Sequence, residues 1–428
     1  MFEYLIKYGK VFYVKTFLDN SLKDLTIYVD DHGYIGKVSV GKESVEFGCE
    51  LVDLTGGNLV TLPGFIDLHV HLRDFNYSYK ETLESGSLAA VSSGYVLVGD
   101  MPNTSPYIDS VDLLMKRVEL ARIKSYVDYG VYCGIPKRLE DVDDLLKSKQ
   151  LYVGFKIYPE DLKDKLDVIG YILKKYEGLV VVHSELPEYA LRGSTRELPL
   201  RYLDRPSWNE LTVASLIRDM NRAAKIHITH SAHPSTPLRC RDLGFTVDTT
   251  PYYFMLSSED VRDCWCKVNP PINDLISKSL IFTNLINGFY DAVVSDHAPH
   301  YYEEKLYDWR LCPSGFADIE VSSRIMITMF VKGFMSHHLL IKYLCEGPAK
   351  VLGVDDRYGK LAPGYRASFT ILDLSRGGIA GIKYSKARKS GLDGFRYVGE
   401  VVKTVVGGEV VYDSGEVIGK PKVVVIGG

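Results

Sequence analysis

The sequence predicts an α/β fold, a (β/α)8 TIM barrel accompanied by a small β-sandwich that both chain ends build. Three observations carry this prediction. Between positions 63 and 352, short apolar runs alternate with longer stretches of helical period, the pattern of β/α units around a parallel sheet. Eight such runs stand in that region, the number that closes a barrel. Before and after it, β-rich runs with turn residues replace any helical period. The expected division is 1–62 with 353–428 for the small domain and 63–352 for the catalytic barrel.

Taken in order, KVFYVKTFL and LTIYVDDHGYIGKVSV read as strands, with Asp31, His32 and Gly33 supplying a turn. The eight barrel runs are FIDLHVH (65–71), YVLVGDM (95–101), YGVYCGI (129–135), YVGFKIY (152–158), LVVVHS (179–184), IHITHS (226–231), FTVDTT (245–250) and DAVVSD (291–296). Helix-like stretches such as KETLESGSLAAVSS, SVDLLMKRVELARIK, DKLDVIGYILKKY and NELTVASLIRDMNRAA separate them. An open doubly wound sheet is the competing architecture, but no Gly-rich phosphate loop follows the first run. Near the carboxyl end, Gly407-Gly408 divides two Val-rich runs as a hairpin turn does.

Composition bounds the partners. Of 428 residues 46% are hydrophobic and 25% charged, and 51 Lys+Arg against 55 Asp+Glu leave a formal charge of -4. With no block of like charges, nothing in the chain forms an electrostatic footprint for nucleic acid or an anionic membrane, and a small-molecule partner is expected. No run approaches the roughly 20 apolar residues of a membrane span. The amino-terminal run MFEYLIKYGKVFYVK lacks the basic segment and long apolar core of an export signal. Seven scattered cysteines without a CxxC pair suit a reducing cytoplasm, with Cys264 and Cys266 expected as ordinary packing residues.

The chemistry starts with FIDLHVH. In a strand, residues i and i+2 share a face, so His69 and His71 project together at the carboxyl end, where barrels place their active sites. The other run ends supply His183, His230 and Asp296, residue types that bind divalent metals and suit Zn²⁺ best. Each has an ordinary reading as a core histidine or a cap, but their shared placement on strand ends points to one site. Lys156 is the misfit, an ammonium in an apolar run that a barrel would bury. It either reaches solvent from the strand end or, deprotonated by burial, adds CO₂ and becomes an N6-carboxylated ligand. Six ligands suffice for a binuclear centre that generates hydroxide at neutral pH and hydrolyses carbonyl bonds, with Asp296 as proton shuttle. His227 faces away from His230 in the strand and is expected to be structural.

With these residues in place the chain resembles the cyclic amidohydrolases, and more narrowly the dihydroorotases. The resemblance runs through PGFIDLHVHLRD (63–74), MPNTSP (101–106), GFKIYPED (154–161), HSELPE (183–188), KVNPP (267–271) and SDHAPH (295–300). It implies two Zn²⁺ per chain on His69, His71, Lys156, His183, His230 and Asp296. It also implies substrate contacts from Arg73, Asn103, Asn269 and His300, and from the backbone around Ser314 and Gly315. A guanidinium answers a carboxylate, and dihydroorotate carries one where allantoin and dihydrouracil do not. The implied activity is reversible cyclisation of N-carbamoyl-L-aspartate to L-dihydroorotate and water, in pyrimidine (UMP) biosynthesis. Its alternatives are an allantoinase or dihydropyrimidinase, or an inactive scaffold for aspartate transcarbamoylase. Association with that transcarbamoylase, or into a homo-oligomer, is the partner the resemblance raises beyond the small-molecule substrate.

The chain departs from the family pattern at Phe75-Asn76-Tyr77-Ser78 after HLRD, at Tyr252-Tyr253 in place of a histidine pair, and at Asn273 where an arginine often follows KVNPP. Gly347-Pro348-Ala349 replaces an Asn-Pro-Ala, a change expected to touch a helix cap more than the chemistry.

Overall fold

The computed structural model describes residues 8–45 and 48–427, so the first seven residues of the amino-terminal run lie outside it. Eight parallel strands form the barrel: Phe65–Val70, Tyr95–Asp100, Asp128–Gly134, Gly154–Ile157, Leu179–Val182, Lys225–Ile228, Thr246–Thr249 and Ala292–Val293. Each neighbours the next in the sheet, so chain order and spatial order coincide. The ring closes where Val70 bridges His297 in parallel and the His71 N–H donates to the His297 carbonyl at 2.8 Å. All eight runs expected as barrel strands are strands, and each strand ends before its run does because the last residues bend into the mouth. That bend is where the candidate chemistry sits.

The strands are apolar throughout because both faces are covered, by the barrel interior on one side and helices on the other. Leu83–Ser92 is one of these helices; the hydroxyl of Thr82 accepts from the Ser85 N–H in a reciprocal cap, which sets where it begins. Val111–Lys124, Leu166–Lys175 and Asn209–Met220 form as the helical period anticipates. The Gly347–Leu352 helix opens on the Gly-Pro-Ala segment, with Pro348 in its first turn where a missing N–H costs nothing.

Both chain ends are β. Tyr8–Leu18, Ser21–Asp30, Ile35–Val40 and Glu50–Leu54 make one sheet; Leu59–Pro63 joins Phe369–Ile379, Arg396–Val406, Glu409–Asp413 and Glu416–Val417 in another. They share a core of Phe12, Val14, Ile27, Phe369, Ile371 and Val405. Gly407 and Gly408 turn between two of these strands with φ of 57° and 81°, a left-handed pair that glycine adopts without steric cost.

The small domain is fastened to the barrel through a buried ion pair. Arg366 Nε lies 3.1 Å from Asp128 Oδ2, which also accepts from Tyr358 at 2.9 Å. The other guanidinium nitrogens donate to the carbonyls of His32 at 3.0 Å and Lys422 at 2.8 Å, so one side chain joins both terminal segments to the third barrel strand.

One sequence expectation is overturned. Cys264 is not a packing residue but is disulfide-bonded to Cys312, with Cα atoms 6.3 Å apart. Forty-eight residues separate them, too far for local spacing to reveal the partner. Cys49, Cys133, Cys240, Cys266 and Cys345 are free. No helix among the described residues is long and apolar enough to cross a membrane.

Candidate active site

At the carboxyl ends of the barrel strands, His69, His71 and Asp296 bring three ligand atoms within 4.8 Å of one another. The Nε2 atoms of His69 and His71 lie 3.5 and 3.4 Å from Asp296 Oδ1. Both rings are held from behind. His71 Nδ1 lies 2.6 Å from Asn103 Oδ1, which can only accept, so Nδ1 carries the proton and Nε2 keeps its lone pair for the site. His69 Nδ1 lies 2.6 Å from the Thr229 hydroxyl, which in turn donates to Asp248 at 3.1 Å. His227 meets the same carboxylate at 2.7 Å, so this histidine is a structural prop two steps behind His69.

His183 is oriented the other way round. Its Nε2 stands 2.5 Å from Glu185 Oε2, and Arg205 grips that carboxylate through two nitrogens at 2.7 and 2.5 Å. An ionised carboxylate only accepts, which leaves Nδ1 of His183 as the available ligand atom. The His230 ring centroid lies 4.9 Å from that of His69 and 4.5 Å from that of His183. Its Nδ1 is buried without a hydrogen-bond partner among the described residues.

Lys156 is fully buried and its Nζ has no hydrogen-bond partner among the described residues. Burial pushes its pKa down to about 7, and the carboxylates of Asp296 and Asp248 only partly offset this. The amine therefore has the neutral form that carboxylation requires. Burial likewise drives His69 and His230 well below the ordinary imidazole value, keeping them neutral and able to ligate. Burial pushes the Asp296 carboxyl up, but the polar groups packed around it, the Tyr252 hydroxyl among them, outweigh this and lower it.

Two orphaned buried nitrogens, three neutral or inward-facing imidazoles and a low-pKa carboxylate form a donor set that suits a divalent metal and leaves its members unsatisfied otherwise. The fit rests on these donors. His230 and Asp296 have φ of 41° and 50°, and Arg73, Asp74 and Phe75 have φ of 47°, 57° and 47°. Such left-handed non-glycine backbone is uncommon, and at Arg73, His230 and Asp296 it falls on residues that line one cavity.

A cavity of about 190 Å³ opens above this cluster. Its walls include ten of the residues expected at the site: His69, His71, Arg73, Asn103, His183, His230, Asn269, Asp296, Ser314 and Gly315. Lys156 lies beneath the floor and His300 behind the wall. His300 Nε2 bonds the Ser314 carbonyl at 2.9 Å while Nδ1 faces Lys80 Nζ at 3.2 Å. Asn103 is in the wall, with its oxygen already committed to His71.

Sequence reasoning missed Tyr158 and Arg205 in the walls, and Arg201, which donates to the Val268 carbonyl at 2.6 Å and to the Asn269 side chain. It noted Tyr252 only as a departure, whereas the phenol donates to Asp296 Oδ2 at 2.6 Å. At the Asn273 departure, the side chain donates to the Ala232 carbonyl at 2.7 Å, so the position serves the loop after the sixth strand.

The model of the Amidohydrolase family matches residues 60–156 and 271–411. The chain is 34% identical over 355 residues to a dihydroorotase of Sulfolobus acidocaldarius, covering 82% of this chain and 84% of that one. It is 32% identical over 405 residues to a dihydroorotase of Sulfurisphaera tokodaii, covering 94% and 95%. Among solved structures, an L-hydantoinase (dihydropyrimidinase) from Arthrobacter aurescens superposes with a TM-score of 0.86 at 22% identity, covering 97% of this chain and 98% of that one. A D-hydantoinase from Thermus sp. gives 0.83 at 20% identity, covering 96% and 97%; both likenesses speak to the fold. With its barrel, its histidine-carboxylate cluster and these relatives, the chain belongs to the amidohydrolase family and, within it, groups with the dihydroorotases.

Proposed function

We propose that this protein is a dihydroorotase, interconverting L-dihydroorotate and N-carbamoyl-L-aspartate at the mouth of the barrel. The observation that carries the reading is Arg73. Its guanidinium is buried in the pocket region, 7% exposed, and its one hydrogen bond to protein among the described residues is Nε to the Pro299 carbonyl at 3.4 Å. A buried cation with its fork unused is costly unless an anion completes it, and the exocyclic carboxylate of dihydroorotate is such an anion.

His69 and His71 through Nε2, His183 through Nδ1, His230, and Asp296 would hold two Zn²⁺ together with Lys156 as its carbamate. Carboxylation forms one N–C bond from the neutral amine and CO₂ and releases one proton, leaving a single negative charge over two oxygens. When bound, such a metal pair polarises the carbonyl and supplies a nucleophile from water at neutral pH. Asp296 takes the proton of the attacking water and returns it to the ring nitrogen as the C–N bond breaks. Arg73 and the Asn103 amide hold the exocyclic carboxylate, while Asn269 and the backbone at Ser314 and Gly315 orient the ring. His300 acts at one remove, through Ser314.

On this reading the enzyme belongs to the cytoplasm, in pyrimidine biosynthesis, and its Cys264–Cys312 bridge is one that burial of both cysteines shields from cytoplasmic reductants. Steady-state hydrolysis of dihydroorotate beside allantoin and dihydrouracil, with zinc-loaded protein, tests it. Turnover of dihydroorotate alone is expected. Turnover confined to a neutral ring would overturn the carboxylate reading in favour of a hydantoinase-like activity, and silence on all three would favour a scaffold.

A further inference from the structure

The pocket wall at Ser314 and Gly315 belongs to a segment without regular secondary structure, yet its backbone is held closely. Lys267 Nζ donates to the carbonyls of Trp309 at 2.7 Å and Cys312 at 2.6 Å. Lys305 Nζ donates to those of Pro313 at 2.9 Å and Gly315 at 2.7 Å. With His300 on Ser314, the carbonyls of five residues between 309 and 315 are turned towards side-chain donors. Gly315 has φ of 111°, and a Cβ there would stand 2.8 Å from both the Cβ and the carbonyl oxygen of Ala298, so the strand-end loop and this segment touch.

Four of these five bonds come from the two lysines, and the covalent tie is elsewhere. Cys312 lies two residues before Ser314, and Cys264 lies five residues before Asn269. Their disulfide therefore joins the segment bearing Ser314 and Gly315 to the segment bearing Asn269, two pocket walls contributed by different barrel loops. The Gly315 N–H donates to the Lys267 carbonyl at 2.8 Å, so the two segments also share a backbone bond just beyond the bridge. Both cysteines are buried, 3% and 2% exposed.

We propose that the Cys264–Cys312 disulfide is a positioning element for substrate: it sets the spacing between Asn269 and the Ser314–Gly315 backbone, and so the width of the pocket between these two walls. This rests on the reading of the pocket as the substrate site. The bridge does not touch the metal ligands. It acts on binding rather than on the proton transfer at Asp296, because the groups it spaces orient the ring and do not react.

The test has two parts. Alkylation of the denatured, unreduced protein, followed by mass mapping, is expected to label the five free cysteines and to leave 264 and 312 unlabelled until a phosphine reductant is added. Labelling of all seven without reductant would overturn the proposal. In the second part, Cys264→Ser, Cys312→Ser and the double variant are compared with the native enzyme and with Cys49→Ser, which lies in the small domain. A KM for dihydroorotate raised by about threefold or more, with kcat within about twofold, is expected of each bridge variant, the split that marks lost binding geometry. Amides of 309–316 are expected to exchange at least about tenfold faster, with the barrel strands unchanged, which reads the same loosening without any turnover. An unchanged KM, or a fall in kcat shared with global destabilisation and no local change in exchange, would overturn it. A native enzyme silent on dihydroorotate would instead overturn the substrate reading, and the exchange measurement would still decide whether the bridge holds the wall.

Discussion

The phenol of Tyr252 donates to Asp296 Oδ2 at 2.6 Å, on the side of the carboxylate opposite to the one facing His69 and His71. The two oxygens of Asp296 thus have separate tasks, one towards the ligand cluster and one anchored. A hydrogen bond to a charged group is worth about 1.5–3 kcal/mol, so Tyr252→Phe is expected to lower kcat roughly 10- to 100-fold. KM for dihydroorotate should stay near native, since Tyr252 is absent from the pocket walls. Steady-state kinetics on the zinc-loaded variant decides this, and a pure KM effect would refute the anchoring role.

Asp296 itself is the proposed proton carrier. Its φ of 50° is one that asparagine tolerates, so Asp296→Asn isolates the chemistry from the backbone. Turnover should fall by about 10²–10⁴, the usual contribution of a positioned acid-base group, with the circular dichroism spectrum intact.

Arg73 predicts a change in substrate range rather than a general loss. Removing a charge-paired fork costs roughly 3 kcal/mol for a substrate that carries the carboxylate and little for one that does not. For Arg73→Ala, kcat/KM on dihydroorotate should drop about 10²-fold or more, while any slow hydrolysis of dihydrouracil stays within a few-fold. Parallel losses on both rings would show that Arg73 shapes the loop and does not read the substrate.

Lys156 trades stability for function. An unsatisfied buried polar group costs about 1–3 kcal/mol, and a methionine of similar volume would remove that cost. Lys156→Met is therefore expected to raise the thermal midpoint of chelator-treated protein while abolishing turnover and lowering bound zinc measured by elemental analysis. A destabilised metal-free variant would indicate that the amine has a partner in solution.

Lys305 carries a pH signature in stability. Burial, and then the charge of Lys267, push its pKa from 10.5 down to about 7 in the folded protein. Between about 7 and 10.5 the unfolded chain binds more protons at this residue than the folded one, so its contribution to stability rises with pH across that window. The cost of burying the ammonium is fully present below about pH 7. Across pH 6 to 9 the thermal midpoint of native protein should rise relative to that of Lys305→Met; a constant difference would contradict the shift.

Much of this molecule is legible from its residues because strand runs and strand-end chemistry are local patterns. His69 and His71 announce themselves by two-residue spacing, and Lys156 by its misfit in an apolar run. The supports are a different matter. Thr229 and Asp248 behind His69, or Arg205 on Glu185 behind His183, are ordinary polar residues whose meaning comes from parallel strands and adjacent loops meeting in space. The Cys264–Cys312 pairing is invisible for the same reason, and Tyr252, legible only as a departure from a histidine pair, takes its meaning from the hydroxyl it places on Asp296. His300 has the opposite lesson: its motif points to the substrate, while its ring is spent on holding Ser314.

The guanidinium of Arg366, buried on Asp128 and shared with the carbonyls of His32 and Lys422, bears on how the protein can be taken apart. Cutting the chain at 62/63 and 352/353 would take from Asp128 in the third strand both its Arg366 partner and its Tyr358 donor, and would uncover a carboxylate that the whole protein buries. The residues of the proposed site lie in the barrel, yet its third strand is completed by residues of the terminal segment. A minimal enzyme would have to bring its terminal strands along or replace Asp128 first.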